Sequence, residues 1–191
     1  MDLKDNGFTL MELMAVVVLI SVLTLVTLPP VMRAVERREV SNAAQAAIDL
    51  VDFAKVQASA RNRAYELVPV ASTGGTGLNG SITLNESPTS ACINFGAGLQ
   101  GVRTLDLAKE YPQIHVVSTR PSALLVNHLC IKPDGRVLDA VTQLPIASGD
   151  SLYAAGDALI TFQRKEANGN PEGVKHVLLL PFNGAARVAF E

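Results

Sequence analysis

Gly7-Phe8-Thr9-Leu10-Met11-Glu12 opens the stretch GFTLMELMAVVVLISVLTLVTLPP, residues 7–30, and the organisation of the chain turns on how these residues are read. From Phe8 to Leu28 every residue is apolar except Glu12 and the hydroxyl residues Thr9, Ser21, Thr24 and Thr27. Wound as a helix at about 1.5 Å per residue, this segment reaches roughly 31 Å, close to the ~30 Å hydrocarbon core of a bilayer. A cleavable secretory signal would have a basic leader, a shorter apolar core and small residues at a cleavage site beyond it. MDLKDNG instead flanks its one lysine, Lys4, with Asp2 and Asp5, and Thr24 to Pro30 offers no such site. A plain single-pass anchor explains the length but not Glu12. An acidic group costs up to ~2.5–3.5 kcal/mol at mid-bilayer and less near an end, so such a residue calls for a partner.

The chain has 191 residues, a hydrophobic fraction of 48% and a formal net charge of -2, with Lys, Arg, Asp and Glu interspersed after the apolar stretch. That composition is rich enough for one packed domain beside a membrane segment, and it argues against disorder. A dedicated nucleic-acid-binding domain would be clearly basic. With no Trp and 5% aromatic residues, platforms for stacking bases or sugars are disfavoured.

Between Val31 and Arg63 the sequence favours continued helix, with Ala44, Ala47, Ile48, Val51, Ala54 and Ala58 spaced as an apolar stripe beside Asp49, Asp52 and Lys55. Pro29 and Pro30 remove hydrogen-bond donors from the ladder, and mark either a place where the helix yields or a plain helix boundary. Beyond Arg63 the pattern changes to short apolar or alternating runs set off by turn signals. Strands are expected over Leu67 to Ala71, Ser81 to Asn85, Ala91 to Phe95, Ile114 to Ser118, Leu124 to Ile131, Val137 to Asp139, Leu159 to Arg164, Val174 to Leu180 and Ala186 to Phe190. The fold class read from this is α+β, a long N-terminal helix followed by a head of mainly antiparallel sheet. Cys92 and Cys130, the only cysteines, are natural disulfide partners in an oxidising compartment. Such a bond would contribute roughly 3–4 kcal/mol in the chain-entropy account. Two unrelated buried thiols are the alternative, because free Cys packs as a small hydrophobe.

Enzyme signatures are missing: there is no Gly-x-Ser-x-Gly, no phosphate loop ending in Gly-Lys-Ser/Thr, and no Cys or His pair at metal-ligand spacing. No catalytic residue, metal or cofactor is therefore expected. Gly74 to Gly77 lacks the lysine and the strand-to-helix setting of a phosphate cradle, and reads as a flexible loop. His115, His128 and His176 are scattered, and read as surface or strand-edge residues rather than ligands.

Gly7-Phe8, the apolar run and a carboxylate five residues into it resemble the processing site of type IV pilins and of the pseudopilins of type II secretion. The resemblance implies a leader over residues 1–7, cut by a prepilin peptidase between Gly7 and Phe8, with methylation of the new Phe8 amine. It also implies a transmembrane helix over 8–28, an amphipathic continuation over 29–63, and a periplasmic or extracellular head over 64–191. Glu12 becomes the group that pairs with the amine of a neighbouring subunit, an arrangement that is sound in physical terms because each charge alone in a dry bundle is costly. Lys132-Pro133-Asp134-Gly135-Arg136 between apolar strands, and Val177 to Pro181 followed by Asn183-Gly184 and Ala186-Arg187-Val188, resemble the head of H-type pseudopilins and FimT/FimU-like minor pilins. The implied partners are other minor pilins, the major pilin, the prepilin peptidase and the inner membrane, which holds the subunit before it enters a surface filament. Some FimT-like proteins bind DNA through a Gly-Arg-x-Arg pattern. Gly184-Ala185-Ala186-Arg187 keeps one arginine, Arg187, and loses the other, which counts against DNA unless Arg103, Arg120, Arg136 and Arg187 converge. Charge opposes the implied orientation, since Arg33, Arg37 and Arg38 follow the helix and the positive-inside rule would place that side in the cytoplasm. The motif overrides it, because the peptidase acts at the cytoplasmic face.

Overall fold

The computed structural model describes residues 10–70, 80–92, 99–120, 128–140, 142–144, 158–165, 171–181 and 185–190, without the side chains of 26, 28–30, 33, 118–120, 158–159, 165, 171–175, 179 and 190. The helix α1 runs Leu10–Arg61, so its backbone is helical through residues 29 and 30 and no helix boundary falls at the prolines. It ends where a side chain with some tolerance for the left-handed region is available: Asn62 has φ 51, and the Arg63 N–H donates to the Ala58 carbonyl at 3.2 Å. That is the six-to-one bond of a Schellman ending, with Asn in the place more often held by Gly.

Two compact units are formed, Met1–Glu36 and Arg37–Glu191. In the first, α1 exposes large apolar side chains along its length. The second is an α+β head of antiparallel strands. Its described strands are β1 (Tyr65–Val70), β2 (Ser81–Glu86), β3 (Gln100–Asp106), β4 (Ile114–Arg120), β5 (Leu129–Ile131), β6 (Val137–Asp139), β7 (Ala158–Lys165), β8 (Pro171–Leu180) and β9 (Arg187–Phe190), with a one-turn helix α2 (Leu107–Glu110). They form a five-stranded sheet in the order β3-β2-β1-β5-β6 and a four-stranded sheet in the order β4-β7-β8-β9. Every described pairing is antiparallel. The one-turn helix α2 carries the chain from β3 of the first sheet to β4 of the second. Its start is capped by Asp106, whose carboxylate accepts from the Ala108 N–H at 3.0 Å, and Leu107 is driven into the core.

Val40, Ala43, Ala44, Ala47, Leu50, Val51, Ala54 and Ala58 are buried on α1 at the i, i+3, i+4, i+7 spacing that puts them on one face. They share a single core with residues of both sheets, among them Tyr65, Leu67, Ile82, Leu84, Ile114, Val116, Ile131, Ile160, Phe162 and Leu178. Five of the eight helix residues are alanines, which lets the backbone approach closely while the strands supply the large side chains. A second cluster of Ala64, Cys92, Cys130, Leu138 and Ala140 surrounds the disulfide between Cys92 and Cys130, which joins positions 38 apart in sequence across a Cα separation of 5.8 Å.

Two expectations need correction. Ala91 and Cys92 lie in a bend rather than a strand, where Cys92 is tied to β5 and hydrogen bonds from the Ala64 N–H to the Thr89 carbonyl and from the Ser87 N–H to the Ala64 carbonyl hold the preceding turn. His176 is not a surface residue: it sits in β8, between β7 and β9, at 3 % exposure. Burial lowers its pKa. The expected loop at Gly74 to Gly77 and the Asn183-Gly184 turn lie outside the described residues, although β8 and β9 do pair as expected, Leu178 facing Val188.

Lys132 to Arg136 forms the anticipated hairpin between β5 and β6. The Gly135 N–H donates to the Lys132 carbonyl and the Lys132 N–H to the Arg136 carbonyl, both at 2.9 Å, with Gly135 at φ +83. This is a three-residue loop closed by a left-handed glycine. The Arg136 Nε donates to Asp134 at 2.7 Å and holds its carboxyl below the usual carboxylate range. Gly80, just before β2, also has positive φ, +88, and a Cβ there would stand 2.6 Å from the Val70 carbonyl oxygen. A Cβ at Gly135 would meet nothing within 4 Å.

The two glycines therefore give different expected outcomes in denaturant unfolding of residues 37–191. Gly135→Ala should cost about 1 kcal/mol, the left-handed strain alone, whereas Gly80→Ala adds a backbone clash and should cost roughly 2–4 kcal/mol. Equal losses would contradict the packing at Gly80. The second outcome concerns pH. His176 has a folded pKa below its unfolded value near 6.5, so the unfolded chain binds the proton more readily and stability is lost as pH falls below that value. Thermal unfolding between pH 7.5 and 5.5 should show a smaller decline in Tm for His176→Gln than for the parent.

Candidate functional site

At its N-terminal end α1 presents an apolar surface without a covering layer. Leu10 is 78 % exposed and Met11 82 %, and Leu13, Met14, Val16, Val17, Val18, Leu19, Ile20, Val22, Leu23 and Leu25 are all exposed. Successive residues point in different directions around a helix, so the surface is apolar all round, the pattern of a helix meant for an apolar environment. The hydroxyls fit the same environment. Ser21 Oγ donates to the Val17 carbonyl at 2.7 Å, Thr24 Oγ1 to Ile20 at 2.7 Å and Thr27 Oγ1 to Leu23 at 3.0 Å, so each donor is satisfied within the helix. Glu12 lies in the exposed first turn, the position that suits a carboxylate beside the positive end of the helix dipole. Gly7 and Phe8 lie outside the described residues. Among the described residues no helix is long and apolar enough to cross a membrane; the span read from the sequence over 8–28 includes positions outside that description.

Among the described residues of the head, Glu66, Glu86 and Asp139 are buried carboxylates, and the sequence does not announce the partnerships of the first two. Glu66 on β1 is 3 % exposed; its Oε1 lies 2.7 Å from His128 Nδ1 and its Oε2 accepts from Asn85 Nδ2 at 2.9 Å. Glu86 on β2 pairs with Arg61 at 2.7 Å and Arg63 at 3.2 Å. Antiparallel register assembles both groups, placing Tyr65 opposite Glu86 and Glu66 opposite Asn85. Tyr65 is fully buried, and burial followed by the Glu86 carboxylate raises its pKa. His128 is thus a half-buried partner of a buried carboxylate, held at φ 57, rather than a surface histidine. Only the strand pairing could have revealed these contacts, and that pairing is non-local. Among the described residues no group of three His, Cys, Asp or Glu could hold a metal ion.

Of the arginines considered for DNA, Arg103 and Arg136 lie apart. Arg103 on β3 stands over the Phe53 ring at 5.7 Å, and Arg136 pairs with Asp134 beside β6. These strands occupy opposite edges of the five-stranded sheet, and Arg187 lies on β9 at the edge of the other sheet. The side chain of Arg120 is outside the described residues. A cleft of about 260 Å³ is lined by Glu39, Glu110, Tyr111, Pro112, Gln113 and Ile114. Of these, Gln113 accepts twice at Oε1 from Arg164, at 2.9 and 2.7 Å.

Compared with known families, residues 2–28 match the model of the prokaryotic N-terminal methylation motif. No curated protein and no solved structure matches the chain. The matched residues contain Gly7, Phe8 and Glu12 together with the apolar, hydroxyl-satisfied part of α1, and they support a type IV pilin-like family for this chain.

Proposed function

We propose that the protein is a minor subunit of a type IV pilus, one that primes filament assembly and is incorporated at or near the tip. The observation that carries this reading is the methylation motif at residues 2–28 leading into a helix whose exposed surface is apolar and whose only carboxylate within that apolar run is Glu12. On this reading the precursor is held in the inner membrane by residues 8–28, cut between Gly7 and Phe8, and methylated at the Phe8 amine. Glu12 then accepts the amine of an adjoining subunit. Its exposed place in the first turn suits that role, and the amine offsets the cost of a carboxylate in an apolar bundle. Other minor pilins and the major pilin are the partners. The head serves as structure rather than as an enzyme.

A second reading is the H-type pseudopilin of a type II secretion system, which the Pro133-Asp134-Gly135 hairpin and the β8–β9 pairing fit as well as they fit a minor pilin. A deletion strain separates the two, since loss of surface filaments supports the pilus and loss of a secreted protein with intact filaments supports secretion.

Two outcomes are expected. The mature protein should have the mass of residues 8–191 plus one methyl group by intact-mass spectrometry, and replacing Gly7 with a bulky residue should leave the full-length precursor. In the deletion strain, complementation with Glu12→Ala should yield a processed, folded protein but surface filaments reduced at least tenfold. Full piliation by Glu12→Ala would remove the carboxylate from the assembly step.

A further inference from the structure

Exposed apolar side chains on α1 continue past the prolines, through Val31 and Met32 to Val35, which is 50 % exposed. From Leu10 to Val35 the helix measures roughly 38 Å at ~1.5 Å per residue. The hydrocarbon core of a bilayer is about 30 Å thick, and about 40–45 Å with the headgroup layers. With the helix tilt of about 20° usual in membranes, the residues that follow Val35 reach the depth of the lipid phosphates.

Those residues are Glu36, Arg37, Arg38 and Glu39. Arg37 and Arg38 are exposed, and among the described residues neither has an ion pair, hydrogen bond or ring contact. The contrast with other described arginines is sharp: Arg61 and Arg63 bind Glu86, Arg103 stands over Phe53, Arg136 binds Asp134, Arg164 binds Gln113, and Arg187 has an interaction of its own. The flanking carboxylates do not take up the two charges. Glu36 is engaged elsewhere, and Glu39 lines the cleft beside Glu110 and Tyr111. Two free guanidinium groups at the end of an apolar helix surface offer planar, multidentate donors suited to phosphate.

We propose that Arg37 and Arg38 form an interfacial collar that binds the phosphates of anionic phospholipids in the leaflet facing the head, holding the subunit at a fixed depth until it is drawn into a filament. The proposal rests on the reading of residues 8–28 as membrane-inserted. It gives the basic residues after the helix a task on the side where the positive-inside rule alone would not put them: the charges serve lipid contact rather than orientation.

The test uses the full chain reconstituted in phosphatidylcholine vesicles containing phosphatidylglycerol, with spin-labelled forms of each lipid as probes of the protein-bound shell. The parent should favour phosphatidylglycerol by roughly tenfold, given the attraction expected of each basic residue near an anionic surface. That preference should fall to about one in the double variant Arg37→Gln/Arg38→Gln, and in molar salt. Equal association of both lipids with the inserted parent, or an undiminished preference in the double variant, would overturn the collar alone. Release of the parent from the vesicles by alkaline carbonate would overturn the membrane reading itself, and the collar with it.

Discussion

The head depends on one constraint, the close approach of a small-residue face of α1 to two sheets at once. Ala43, Ala44, Ala47, Ala54 and Ala58 are each fully buried, yet each contributes little apolar area of its own. Their effect is geometric. By keeping the helix surface shallow they admit Tyr65, Leu67 and Phe162, which bury far more, on the order of 1.5–3 kcal/mol for a large apolar side chain. Because the same core cluster joins α1 to residues of both sheets, a bulky residue at Ala47 or Ala54 would push against both rather than locally. Cores respond to such overpacking by forced rotamers and backbone shifts.

Against that core the disulfide is a local device. The cluster around Cys92 and Cys130 contains three other residues, two of them alanines, so apolar burial there is small. A bond worth roughly 3–4 kcal/mol in the chain-entropy account therefore adds there to the hydrogen bonds by which Ala64 holds Ser87 and Thr89. Beside it, buried Glu66 is held by His128 and Asn85. The carboxylate is tolerated at 3 % exposure because each of its oxygens has a side-chain nitrogen within hydrogen-bond distance. Removing either partner would strand part of a buried charge, which costs more than the contact itself contributes.

What the sequence disclosed follows from the range of the forces involved. The helix stripe from Ala44 to Ala58 was legible because a period of 3.6 is a local property; of its six residues only Ile48 is partly rather than fully buried. The Pro133-Asp134-Gly135 turn was legible because its chemistry lies within three residues. Strand β3 was not, since it is an edge strand with polar and small residues and only Leu105 buried, leaving no apolar alternation to see. The one-turn helix α2 is too short for any periodic signal. Burial of His176 and the partnership of His128 with Glu66 depend on strand order and register, which link residues as far apart as 62 positions. The division into two sheets was hidden for the same reason. At the candidate site the legible part was the chemistry of residues 7–30, because a carboxylate in an apolar run is anomalous wherever it occurs; the two unpaired arginines after Val35 became visible only once the partners of the others were known.

An apolar helix surface does not by itself choose between lipid and other helices, for both are equally apolar and neither transfer gains much from the hydrophobic effect. The choice must come from polar groups. The hydroxyls of Ser21, Thr24 and Thr27 do not supply it, since their donors are already satisfied by carbonyls of the same helix. Glu12 does: in lipid it carries an insertion cost of up to ~2.5–3.5 kcal/mol, reduced near a helix end. Beside the amine of an adjoining subunit that cost is offset, and the favourable arrangement exists at one axial offset between helices only. If each mature chain begins at Phe8, the offset is about four residues, or roughly 6 Å at 1.5 Å per residue. Under the proposed function a single carboxylate thus fixes both the destination of the helix and its register, while the apolar residues around it supply contact area that is indifferent to register.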